Sequence, residues 1–144
     1  MPLVGGGGSP NVAGGGNPAG TSSTLNYVGN HAYGYSGTFP TTTSTQTMME
    51  FNTFHNTYIV GEFVLMGGLK YASTSNGRIS VFKLTVNGEI IAVVKSDPQS
   101  ADYTGDVRLP ILLEPASRIK LEVIGNDGSA DDVVTAIFVG RAYA

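Results

Sequence analysis

Two histidines, four glutamates in strand-like segments and two acidic loops are the residues from which this chain would have to build a reaction. His31 sits in "GNHAYG" and His55 in "NTFHNT". A zinc centre or a hydrolytic triad wants a histidine at a defined spacing from a carboxylate or a second histidine. Neither HxH nor HExxH occurs, and the nearest carboxylate in sequence is Glu50, five residues before His55. Both histidines are read as loop residues. A glycosidase needs two carboxylates roughly 5–9 Å apart. Glu50, Glu62, Glu89 and Glu122 each alternate with apolar neighbours, which places them on solvent faces.

The loops "SDPQSADYTGD" (Asp97, Asp102, Asp106) and "NDGSADD" (Asp127, Asp131, Asp132) are rich in oxygen ligands for calcium. Neither has the D-x-[DN]-x-[DN]-G register with its distal Glu, and Asp beside Gly also serves plain turns. The glycine-rich start is no phosphate-binding loop, because it lacks the GK[ST] ending and opens no helix. Tyr27, Tyr33, Tyr35, Tyr58, Tyr71, Tyr103 and Tyr143 have faces for stacking on sugar rings, but there is no Trp beside them. Tyrosine is equally an interface residue, its ring buried and its hydroxyl wet. No catalytic residue, metal ligand or cofactor is assigned, and the chain is read as a non-enzyme.

Composition narrows the class further. At 144 residues the chain is expected to form one body with a proper core. A net charge of −3 gives no reason to expect nucleic acid, and no apolar run approaches the roughly 20 residues that span a bilayer. Cysteine is absent, so no disulfide framework or thiolate site exists. With no secretory pattern at the N-terminus, the chain is expected to be made in a host cytoplasm, leaving it only by lysis or inside a larger assembly.

The elements that would position these residues read as strand after strand. Segments 47–51, 58–66, 78–86, 89–95, 106–113, 118–124 and 133–143 are rich in Val, Ile, Phe and Tyr and bounded by Gly, Asn, Asp, Ser or Pro. One or two short strands are expected in 24–39. At 118–123, Ile119, Leu121 and Val123 face one way while Arg118, Lys120 and Glu122 face the other. Asn87-Gly88 predicts a two-residue hairpin turn. Pro110 predicts an edge or a bulge, and Pro115 a corner between sheets. The expectation is an all-β, two-sheet antiparallel β-sandwich of jelly-roll type with an extended N-terminal arm. An immunoglobulin-like sandwich fits the strand count nearly as well but lacks its Cys and Trp landmarks.

All 8 basic and 11 acidic residues lie from Glu50 onward, and the first 24 residues hold eight glycines and three prolines. Residues 1–40 are therefore read as a flexible, uncharged arm ordered on assembly, and 41–144 as the sandwich. Glycines allow close backbone approach to another surface, and amides and hydroxyls pair there with no charge to desolvate. Leu3, Val4, Val12, Leu25, Tyr27, Tyr33 and Tyr35 are the candidate contacts, with Gly140, Arg141 and Tyr143 as candidates for a subunit interface.

The C-terminal third, "LPILLEPASRIKLEVIGNDGSADDVVTAIFVGRAYA", resembles the closing strands of small jelly-roll proteins of phage and other viral particles. The shared features are the corner at Pro115, the alternating strand 118–123, the polar hairpin "GNDGSADD" and the Gly140-Arg141-Ala142-Tyr143 tail. The resemblance implies a capsid-associated cement or decoration protein on the virion surface, commonly a homotrimer, whose partners are capsid protein subunits and itself. Nucleic acid and membrane are not expected partners. The rival expectation is a carbohydrate- or receptor-binding β-sandwich, as in a fibre tip or a lectin-like module.

Overall fold

The computed structural model describes residues 25–70, 79–96, 105–126 and 129–144, which form nine strands and no helix. These are β1 (Asn26–Val28), β2 (His31–Thr41), β3 (Gln46–Asn52), β4 (Tyr58–Lys70), β5 (Ser80–Val86), β6 (Glu89–Ser96), β7 (Gly105–Leu113), β8 (Arg118–Gly125) and β9 (Ser129–Tyr143). One sheet runs β1-β2-β9-β4-β7 and the other β3-β8-β5-β6, every pair antiparallel. The chain changes sheet at each connection except the β1–β2 and β5–β6 hairpins. With β1 as an added edge, β2-β9-β4-β7 facing β3-β8-β5-β6 is the jelly roll.

The turn residues explain this path. Asn87 (φ 52°) and Gly88 (φ 88°) both take the left-handed conformation that a type I′ turn demands between β5 and β6. Asn87 also accepts a hydrogen bond at Oδ1 from the Arg118 N–H (2.8 Å), which fixes the hairpin to the start of β8. Pro110 lies on β7, an edge strand whose sole neighbour is β4, the place in a sheet where a residue without an N–H is tolerated. The Pro115 corner does carry the chain from one sheet to the other. Thr53 ties that corner down, donating to the Glu114 carbonyl (2.7 Å) and accepting from the Ser117 N–H (2.8 Å).

Residues 26–41, grouped with the arm in the sequence reading up to residue 40, form β1 and β2, and β2 is laddered to β9. "YSGTF" bends β2 through a bulge between Tyr35 and Thr38, where Gly37 takes φ 74°. There the Ser36 hydroxyl accepts from the Ala136 N–H (2.8 Å), replacing the carbonyl that the bulge displaces.

Between the sheets lies the core. Phe63 and Phe138 meet at 4.7 Å between ring centroids, with Phe51 at 5.6 Å from Phe138. Met48, Met49, Ile59, Leu65, Phe82, Leu84, Ile119 and Leu121 close around them, all buried. Gly61 on β4 and Gly140 on β9 are direct cross-strand partners beneath Phe138. A Cβ on Gly61 would fall 2.9 Å from the Phe138 ring, and one on Gly140 would fall 2.7 Å from Ile59 Cγ2. The two glycines let the ring lie flat against the backbone.

The sheet ends differ in how they are finished. β1 is three residues long, and β7 carries Pro110. β3 is bulged between Thr47 and Met49, which buries both Met48 and Met49. β6 is bulged at Ile91, which stands unpaired between the Leu84–Ala92 and Thr85–Ile90 partners.

Candidate functional site

The two outer faces of the sandwich differ in their share of charge. On the four-stranded sheet, the strict alternation of β8 sends Arg118, Lys120 and Glu122 outward. Each finds a charge on the same face. Arg118 pairs with Glu50 of β3, its Nε donating at 2.8 Å, and Lys83 of β5 reaches Glu122 at 3.0 Å. Lys120 adds a contact to Glu122 at 3.5 Å. Burial alone would raise the Glu122 carboxyl, but the Lys83 hydrogen bond and the Lys120 and Lys83 charges outweigh it and hold it below the usual range. The charges of this face are satisfied by its own ion pairs, beside the exposed Val93 and Ile124.

On the five-stranded sheet the outward side chains are mostly apolar. The register sets them in rows across the strands: His31, Arg141, Val60 and Leu112, then Tyr33, Val139, Glu62 and Pro110, then Tyr35, Ile137, Val64 and Arg108. A fourth row holds Thr38, Thr135, Met66 and Asp106, and Tyr58 lies beside Tyr143 at the other end. Tyr35 is 58% exposed, Val60 52% and Leu112 57%. One ion pair, Arg108 to Glu62 at 2.9 Å, is closed within the face. His31 stacks with Tyr33 at 6.4 Å, and the Arg141 guanidinium lies 5.9 Å from the Tyr143 ring centre.

Four of the interface residues expected from sequence, Tyr33, Tyr35, Arg141 and Tyr143, thus share this one face. The others do not join them. Leu25 is buried in the core, and Gly140 belongs to the glycine pair under Phe138. Tyr27 turns inward on β1, packs on the core and stacks on Phe54 at 5.1 Å. Its hydroxyl is buried with no hydrogen-bond partner, and burial pushes it up to about 12. Leu3, Val4 and Val12 lie outside the described residues, as do Tyr71, Asp97, Asp102, Tyr103 and Asp127.

Of the residues weighed for chemistry, Glu50 and Glu122 share a face on neighbouring strands, each held by its own cations, and the others are apart. His31 opens β2 instead of sitting in a loop, and His55 lies in the turn before β4. Glu62 stands on one sheet while Glu50 and Glu122 stand on the other. No group of three or more His, Asp or Glu side chains is placed to hold a metal among the described residues.

Sequence reasoning missed Val60, Val64, Met66, Leu112, Ile137 and Val139. The signal was present in "YIVGEFVLM" and "TAIFVG", which are apolar at both parities. A strand with one wet face alternates as β8 does, whereas a run apolar on both sides is the pattern of a strand covered twice. No helix among the described residues is long and apolar enough to cross a membrane.

No family model and no curated protein matches the chain. Among solved structures it is similar to dimeric latent PorU from Porphyromonas gingivalis, at 18% identity over 75% of this chain and a TM-score of 0.41. It is also similar to infectious bursal disease virus Gx strain, at 13% identity over 77% and a TM-score of 0.42. A third is an exo-beta-1,3-galactanase from Phanerochaete chrysosporium with galactose, at 16% identity over 82% and a TM-score of 0.36. The chain spans only 11%, 33% and 29% of those three chains.

Proposed function

We propose that this chain is a structural virion protein of the cement or decoration class, stabilising a shell by binding across adjacent capsid subunits and catalysing no reaction. The carrying observation is the unequal chemistry of the two outer faces. One satisfies its own charges; the other presents tyrosine, valine, isoleucine and leucine on rigid strands. Tyr and Arg are the side chains most often found at the energetic centres of protein contacts, and a broad exposed apolar face marks an interaction site. The uncharged leader suits the same role, since it can lie along protein surfaces without desolvating charge. A partner that binds only the assembled shell stabilises it by mass action, and symmetric repetition multiplies the effect.

Chemical cross-linking of the native protein in its particle, followed by mass spectrometry, tests this reading. Cross-links from residues before Leu25 to capsid subunits are expected, and from the five-stranded sheet to protein of the particle, a second copy of this chain included. Deleting residues 2–23 is expected to leave a folded body that no longer attaches. Retained attachment after the deletion, with binding to a glycan array and no cross-link to a protein, would replace this reading with the carbohydrate-binding one.

A further inference from the structure

We propose that the outer face of the five-stranded sheet is where two copies of this chain pair about a two-fold axis. The inference deepens the reading above, resting on its premise that this is a protein-binding face, and names the occupant.

Taken strand by strand, about 4.8 Å apart and with β1 only three residues long, the face covers about 700 Å². One partner in a stable standard-size interface buries on the order of 600–1,000 Å².

Among the described outward side chains of this face, Glu62 and Arg108 satisfy each other, which leaves Arg141 and Asp106. They stand at opposite ends: Arg141 is in the row with Val60 and Leu112, and Asp106 is in the row with Met66, with two rows between. A two-fold axis lying in the contact plane and crossing β4 between Glu62 and Val64 sets Arg141 of each copy over Asp106 of the other. An isologous contact requires such a self-complementary patch. Val139, Ile137 and Val64 then meet in the middle beside the paired Glu62 and Arg108, Tyr33 and Tyr35 of β2 lie within the contact, and Tyr143 at the end of β9 falls toward the rim, where its hydroxyl stays wet. A two-fold pair differs from the three-fold association that the resemblance implied.

The experiment is the mass of the full chain in solution, by sedimentation equilibrium across micromolar concentrations. A single chain is 15.0 kDa, so twice that is expected. Val60→Lys and Tyr35→Lys, at positions more than half exposed in the lone chain, are expected to give single chains with unchanged circular dichroism and melting. Arg141→Asp and Asp106→Arg should each weaken pairing about tenfold or more, and the double variant should recover to within about threefold of the unmodified chain. A 15.0 kDa species throughout, a three-chain species, pairing indifferent to Val60→Lys, or a double variant no better than the singles would each overturn the proposal. A lone chain that still attaches to capsid subunits would overturn this pairing while leaving the proposed function standing.

Discussion

The Tyr27 hydroxyl is buried against the core with no hydrogen-bond partner, yet the ring is well used, stacked on Phe54. Removing only the oxygen relieves an unmade hydrogen bond whose desolvation costs about 1–3 kcal/mol. Tyr27→Phe is therefore expected to melt at the same temperature as the parent or a few degrees higher at pH 7. The alkaline limb should change as well. With its folded pKa raised from 10.0 to about 12, this phenol stays protonated in the folded chain while the unfolded chain gives up the proton. Stability then falls as pH rises from 10 toward 12, and denaturant titrations of Tyr27→Phe should lack that part of the loss. Glu122 has the opposite sign. Its carboxyl is held below 4.5 in the folded state, so its contribution is present above that pH and lost as pH falls through the folded value. Glu122→Gln should unfold with a shallower dependence on acid below about pH 4.5, again read from denaturant midpoints.

At the scale of the strand, the decisive pair is β4 against β9. Their register puts Gly61 opposite Gly140 so that Phe138 can cover both, and a methyl on either glycine meets backbone or a buried side chain. Gly61→Ala is expected to cost about 1–3 kcal/mol by overpacking, measured in urea, whereas a glycine elsewhere in a strand is weakly stabilised by the same change. Gly140 shows why some of the site was illegible. Its neighbour across the sheet comes from a strand nearly eighty residues earlier, and nothing local marks it as a packing glycine and not an interface one. Leu25 was lost for the same reason, because its composition neighbours are leader-like while its contacts are core. The strands themselves were legible where one face is wet: β8 alternates cleanly, and Asn87-Gly88 and Pro110 each have a local steric meaning. The apolar outer face was legible in principle, since β4 and β9 break alternation, but that pattern says only that something covers them.

For the molecule as a whole, the sandwich already includes Leu25 and the strands up to residue 41. Leu25 and Ala32 are core residues, and β2 supplies β9 with one of its two neighbours. Two truncations should part company on this account. Deleting residues 2–23 should preserve a cooperative thermal transition, while deleting 2–40 should abolish it, because β9 would lose a full ladder and the core its lid at that end. Circular dichroism melts of the two chains decide the matter.

The bulge at Ile91 has a consequence for crowding. In the proposed shell role the chain would sit at very high local concentration, where an open row of amides and carbonyls is a template for cross-β stacking that never closes. Of the four sheet margins, β6 alone offers a long, proline-free strand with Ile90, Ile91 and Val93 in solvent. One surplus residue breaks its spacing, so a newcomer cannot zip along it in register. The protein can thus expose a sticky side chain there without seeding fibres.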